Sequence, residues 1–164
     1  MKAQLLQMST PDGPFTILAQ DGVVLSSGWT EKPADLTGQI HPTLRPATLE
    51  LVSDLGGISA AVEAFYGGDP APAMHVPVRQ KSGPFRVHAW DVLRLVRPGS
   101  PVTYTEYAGL AGNPKAVRAA ASACAFNAVA LFVPCHRVIR TDGSLGGFRW
   151  GLVIKESLLA REAA

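Results

Sequence analysis

Cysteine is scarce in this chain: only Cys124 and Cys135 occur among the 164 residues. No Cys-x-x-Cys spacing is present and no cysteine precedes Cys124, which argues against a disulfide scaffold and against a four-ligand zinc site. No metal and no cofactor are therefore predicted, and a reducing cytoplasm is the expected compartment. Net charge is scarce too. Fifteen Lys or Arg against 13 Asp or Glu leave a formal +2, too little to draw the whole molecule strongly to nucleic acid. No stretch approaches the ~18 consecutive apolar residues of a membrane helix. The start, Met1 to Leu6, holds one Lys among mixed residues and no signal-like apolar core, so no membrane association is expected. Internal repeats and low-complexity tracts are also missing, which excludes solenoids and disordered tails.

What is there is apolar residue enough for a core, 47% of the chain, in one compact domain or two small ones. The charge is unevenly placed: from Pro77 onward there are 12 Lys or Arg and 5 Asp or Glu, against 3 and 8 before it. A nucleic-acid partner would meet the second half. The first thirty residues read as strands, Leu5 to Met8, Phe15 to Ala19 and Val23 to Trp29, separated by Pro11-Asp12-Gly13-Pro14 and Asp21-Gly22; Asp-Gly between β-prone runs predicts hairpins in a small antiparallel sheet. Glu31 to Pro46 reads as a loop. Between Ala47 and Tyr66 the spacing of Ile58, Val62, Phe65 and Tyr66 predicts helix, with Gly56-Gly57 dividing it in two. A short strand is predicted around Met74 to Val78, near a domain boundary that gives 1–78 and 79–164.

The second half reads as mainly helical. Pro84 to Val96 carries Phe85, Val87, His88, Val92, Leu95 and Val96 at helical spacings, closed by Pro98-Gly99. Thr103 followed by Glu106 is a capping-box pattern for a helix from Tyr104 to Leu110. Gly112-Asn113-Pro114 then breaks the chain, and Pro114 is expected at the first position of a helix running through Lys115 to Ala125. Helix, tight turn, helix results. In that last helix Arg118 is a long cation among small residues, Ala119 and Ser122 included, with Lys115 ahead of it. Small residues let a helix approach another surface closely, a DNA groove for instance, although an alanine-rich helix read alone more often packs in a core.

A second chemical feature is Leu131-Phe132-Val133-Pro134-Cys135-His136-Arg137-Val138-Ile139, an apolar run interrupted by three reactive or polar side chains. Cysteine attacks as its thiolate, so a reactive one needs a base or a positive charge nearby, and His136 with Arg137 offers both. Alone, such a pair is more often a small core cysteine with an incidental neighbour.

Around it stand Tyr104, Gly112-Asn113-Pro114-Lys115-Ala116-Val117-Arg118, Asn127, Gly143-Ser144-Leu145-Gly146-Gly147-Phe148-Arg149-Trp150-Gly151-Leu152, and Lys155 with Leu158-Leu159-Ala160-Arg161-Glu162. With Pro134-Cys135-His136-Arg137-Val138 as signature, this ordered set resembles the O6-alkylguanine-DNA alkyltransferases, also called methylated-DNA-protein-cysteine methyltransferases. The likeness is strong from Phe85 to Glu162 and looser at Pro11 to Phe15. It implies an α+β fold: a small antiparallel sheet with helix, ribonuclease H-like, followed by a mainly helical, winged helix-turn-helix-like domain. It also implies direct reversal of DNA damage, with an alkyl group moved once and irreversibly from O6-alkylguanine, less so O4-alkylthymine, to Cys135.

Residue by residue, the resemblance implies a relay of Cys135, a water, His136 and Glu162. Arg118 matches the arginine that fills the gap left by a flipped-out nucleotide, and Tyr104 the tyrosine that turns the phosphate and can protonate N3 of the leaving guanine. Asn127 matches the asparagine bracing the active-site turn. Val138, Ser144, Gly146, Gly147, Phe148 and Lys155 would border the guanine pocket. Arg118, Tyr104, Ala119, Lys115 and Ser122 would meet double-stranded DNA in its minor groove, and a monomer is expected. Departures exist: Asn127 is followed by Ala128 where many members have Pro, and Cys124, without a relay partner, reads as packing. His41, His75 and His88 are single histidines without spaced ligands.

Overall fold

The computed structural model describes residues Lys2–Ala164, and the chain divides into two compact units. The first comprises the residues up to Lys81 together with Ala128–Phe132; the second comprises Ser82–Asn127 and Val133–Ala164. The architecture is mixed α and β, a small sheet with helices.

In the first unit, β1 (Lys2–Thr10), β2 (Gly13–Gln20) and β3 (Val23–Gly28) run antiparallel in sequence, and β4 (Thr48–Leu51) joins the free side of β1 in parallel, giving the order β3-β2-β1-β4. The two-residue Asp21-Gly22 turn has positive φ at both residues, 52° and 76°, the conformation whose twist matches that of the flanking strands. In β2 Phe15 to Ala19 are buried without alternation, so both faces of that strand are covered. Phe15 packs edge-on against Trp29 at 4.9 Å and Phe132 at 6.4 Å. The segment 128–132 lies beside β3: the Ser27 amide donates to Ala128 O at 2.9 Å and the Ser27 hydroxyl to Ala130 O at 2.8 Å.

Helix α1 (Pro33–Thr37) falls inside the stretch read as loop and buries Leu36. After it, the predicted division of 47–66 into two helices is wrong in its first half, which is the edge strand β4, whose partner β1 lies over forty residues back. Only α2 (Gly57–Tyr66) is helical, burying Ile58, Ala61, Val62 and Phe65, and Gly56-Gly57 begins it rather than dividing it. Where a strand was expected near Met74, Pro72–His75 form a 3-10 turn, and only Val78 makes a bridge, to Val24.

The second unit contains α3 (Pro84–Leu93), α4 (Tyr104–Leu110), α5 (Val117–Ala125) and α6 (Leu152–Ala163), with a two-stranded parallel ladder of β5 (Val102–Thr103) and β6 (Val138–Ile139). Helix α3 stops short of the predicted Val96, and Leu95 is 80% exposed; its buried face is Ala89, Trp90, Val92 and Leu93. The capping box forms: Glu106 N donates to Thr103 Oγ1 and Thr103 N to Glu106 Oε1, each at 3.1 Å. Helix α5 begins at Val117, three residues after Pro114, because Asn113 closes the preceding turn: its Oδ1 accepts from Lys115 N at 3.1 Å and its carbonyl from Ala116 N at 3.0 Å. Ala120 and Ala123 are fully buried, so α5 sits close enough for Trp90 Nε1 to reach Ala123 O at 2.8 Å. Among the described residues, no helix is long and apolar enough to cross a membrane.

Candidate active site around Cys135

Local hydrogen bonds shape the segment that carries Cys135. Asn127 Nδ2 donates to Val133 O at 2.8 Å, Cys135 N to Val133 O at 2.9 Å, and Arg137 N to Pro134 O at 3.0 Å. A 3-10 turn over Cys135–Arg137 follows and passes straight into β6. Since β6 pairs with β5, and β5 ends at the N-cap of α4, the ladder places Tyr104 beside the strand that follows Cys135. Burial pushes the Cys135 thiol up; the Asn127 hydrogen bond and the Lys155 and Arg149 charges pull it down without cancelling the burial. The resting group is therefore a thiol, and activation has to come from removal of its proton.

His136 and Arg137 are buried and meet the same carboxylate. His136 Nε2 lies 2.9 Å from Glu162 Oε1. Arg137 Nε donates to Oε1 at 3.2 Å and Oε2 at 3.0 Å, its Nη2 donates to Oε2 at 2.5 Å, and its Nη1 donates to Val96 O at 2.7 Å. The sequence reading gave Arg137 a share in activating the thiol; the structure shows its guanidinium engaged by the Glu162 carboxylate. An arginine inside an apolar run can stay charged only when paired in this way, and that was the available signal for its partner. Burial pushes His136 down, an effect that its hydrogen bond to Glu162 reduces without reversing, so the imidazole is neutral near pH 7. For Glu162 burial acts upward, but His136 and Arg137 outweigh it and hold the carboxyl below its usual range.

Lys155 is fully buried. Its Nζ donates to Val138 O at 2.7 Å, Leu145 O at 2.5 Å and Gly147 O at 3.3 Å, which uses all three ammonium protons. This ammonium joins α6, β6 and the 145–147 loop, and it contributes positive charge at the Cys135 sulfur. Gly146 approaches Tyr104 so closely that a Cβ there would lie 3.1 Å from the ring and 3.2 Å from its hydroxyl. Chiefly through burial, and then through the neighbouring Cys124 and Cys135, the Tyr104 hydroxyl is pushed up to about 12, so it keeps its proton. Val138 is buried and Phe148 half-buried, while Ser144 and Gly147 are exposed; Ser144 folds back on Asp142 Oδ1 at 2.7 Å.

Arg118 and Ala119 are exposed in the first turn of α5 and Ser122 is half-buried one turn on; these three line an open surface groove of about 520 Å³ with Ser82 to Arg86. Lys115 is exposed in the preceding turn. Sequence reasoning gave no role to Arg149, whose Nη2 donates to Ala125 O at the end of α5 at 3.2 Å, or to Arg86, whose guanidinium stands 4.5 Å over the exposed Phe126 ring. Both cysteines are free thiols, and among the described residues no group of three His, Cys, Asp or Glu side chains could hold a metal ion.

The stretch that holds all these groups, residues 84–164, matches the family model described as the DNA-binding domain of 6-O-methylguanine DNA methyltransferase. The likeness extends beyond that stretch. The methylated-DNA–protein-cysteine methyltransferase of Mus musculus is 39% identical over 140 residues, covering 77% of this chain and 66% of the relative; that of Cricetulus griseus is 36% identical over 148 residues, covering 86% and 71%. The bifunctional transcriptional activator/DNA repair enzyme Ada of Escherichia coli is 48% identical over 88 residues, which are 54% of this chain and 25% of Ada. Among solved structures, Mycobacterium tuberculosis OGT in complex with DNA superposes with a TM-score of 0.80 at 26% identity, covering 98% of this chain and 92% of that one. The chain belongs to the methylated-DNA–protein-cysteine methyltransferase family.

Proposed function

We propose that this protein repairs DNA by direct damage reversal, moving the alkyl group of O6-alkylguanine, and less readily of O4-alkylthymine, onto Cys135 in a single irreversible turnover. The observation that carries this reading is the buried His136–Glu162 contact of 2.9 Å on the turn that presents Cys135, in a chain whose relatives are named for that activity. With Nε2 engaged by Glu162, Nδ1 is the nitrogen that takes the thiol proton by way of a water, and Glu162 stabilises the imidazolium that results. The sulfur then attacks the alkyl carbon, the bond from that carbon to O6 breaks, and Tyr104 supplies a proton to N3, so guanine leaves neutral. A thioether forms that no side chain here can hydrolyse, so the protein acts once.

The substrate is double-stranded DNA carrying the lesion, and no cofactor is called for. In this reading α4 and α5 form a helix-turn-helix in a winged helix-like domain, 79–164, while the N-terminal sheet, 1–78, is ribonuclease H-like. Arg118 fills the gap when the nucleotide flips out, and Ala119, Ser122 and Lys115 lie along the DNA. Asn127 braces the active-site turn. Val138, Ser144, Gly146, Gly147, Phe148 and Lys155 border the base. We read the protein as a cytoplasmic monomer, consistent with its two free thiols. Cys135→Ala tests the assignment: it should keep its affinity for a duplex containing O6-methylguanine while leaving every lesion in place. Residual methyl loss in that variant would remove Cys135 as acceptor.

A further inference from the structure

The residues after α3 take no part in the chemistry above, yet they touch both members of its ion pair. Val96 O accepts from Arg137 Nη1 at 2.7 Å. Three residues on, Gly99 has φ +80°, and a Cβ added there would lie 2.8 Å from the Glu162 carbonyl oxygen and 3.7 Å from its carbonyl carbon. Both neighbours are backbone, in the last turn of α6, so neither can swing aside as a flexible side chain would. Glycine is thus required twice, by the left-handed conformation and by the close approach. The turn between them is closed by Ser100 N donating to Arg97 O at 3.2 Å.

We propose that Gly99 is a positioning residue for alkyl transfer: the 96–99 turn sets how closely the last turn of α6 approaches, and so holds the Glu162 carboxylate on His136. The inference rests on the relay proposed above. A side chain at 99 pushes the Glu162 backbone outward. A carboxylate at 2.9 Å from Nε2 has little room to retreat before the hydrogen bond is lost, since contacts beyond about 3.5 Å no longer count as such bonds. Arg137 keeps its bond to Val96 O, which does not involve Glu162. The charged groups acting on His136 are Glu162, Arg137 and Lys155, and of these only Glu162 favours the imidazolium.

The test is single-turnover transfer from an oligonucleotide containing O6-methylguanine, in excess over protein, with Gly99→Ala, Glu162→Gln and the double variant. The amplitude counts folded, active protein and the rate constant reports the chemistry, so a variant that folds poorly loses amplitude only. Gly99→Ala should lower the rate constant by about tenfold or more, part of the ~10²–10⁴-fold that a positioned acid or base contributes, and move the acid limb of the pH profile to lower pH. In the double variant the losses should not add, because both changes remove one interaction. Gly99→Asn, which tolerates the left-handed conformation but keeps the Cβ, should behave like Gly99→Ala. Gly68→Ala, also at positive φ (+101°) but with nothing within 4 Å of the added Cβ, should leave the rate constant unchanged. Additive losses in the double variant, or a Gly99→Ala whose rate constant and pH profile match the parent, would overturn the proposal while leaving the relay intact. A Glu162→Gln with the parent rate would instead remove the relay, and the role of Gly99 with it.

Discussion

Arg137 and Arg118 belong to the same unit, carry the same charge and live under opposite conditions. Arg137 is fully buried, with bonds to both oxygens of Glu162 and to Val96 O. Arg118 is exposed on the small-residue face of α5 and lines an open groove. A net charge of +2 contains both without distinguishing them. The buried arginine makes the folded domain depend on one carboxylate, and that carboxylate also meets the histidine beside Cys135. The exposed arginine is available to a partner, and its removal should hardly affect the fold. The buried and the exposed cation can therefore be separated by mutation.

The largest effect should come from breaking the buried end. Arg137→Met leaves Glu162 charged and without its bidentate partner in a buried site, and should lower unfolding free energy by about 3–5 kcal/mol, read as a shift in the urea midpoint. If the unfolding free energy falls by less than a fifth of that, the buried pair is not what holds α6. Acid should act through the same cluster. The folded-state pKa of His136 is depressed, so the unfolded chain takes up a proton first and stability declines as pH falls below ~6.5. The folded-state pKa of Glu162 is also depressed, so its contribution, complete above the unfolded carboxyl value of ~4.3, disappears as pH falls through the folded one. Stability should therefore fall as pH is lowered from about 6.5 towards 4, and His136→Gln should flatten the upper part of that curve; an unchanged slope would contradict the assignment.

A smaller loss, about 1 kcal/mol, should follow Thr103→Ala, which removes one arm of the α4 capping box, and thermal melting would show it. Arg118→Ala is expected to change stability by less than about 0.5 kcal/mol while slowing repair of duplex more than repair of the same lesion in single-stranded DNA. Equal slowing on both substrates would deny Arg118 a role in flipping.

How much of this could be read before the structure follows from the range of each interaction. The Asp21-Gly22 hairpin and the Thr103–Glu106 capping box are local, with determinants a few residues apart, and both form where their patterns stand. Strand β4 was read as helix because its partner β1 is far back in the chain. The two-residue strands β5 and β6 carry no period long enough to notice. The site shows the same division. Cys135 and His136 could be singled out from adjacency, and Glu162 only through resemblance, since nothing in its own surroundings points to a histidine 26 residues away. Adjacency to a cysteine does not reveal which way a side chain turns, so the buried pairing of Arg137 with Glu162 is visible only in three dimensions. Gly99 looked like a helix terminator, and its contact with the Glu162 carbonyl is visible only in three dimensions.

The most direct test of the central claim is mass analysis of the protein after reaction with excess duplex containing O6-methylguanine. One methyl group on the peptide bearing Cys135, with no more than one lesion repaired per protein molecule, is the predicted result. Repeated turnover, or methylation of Cys124 instead, would contradict it.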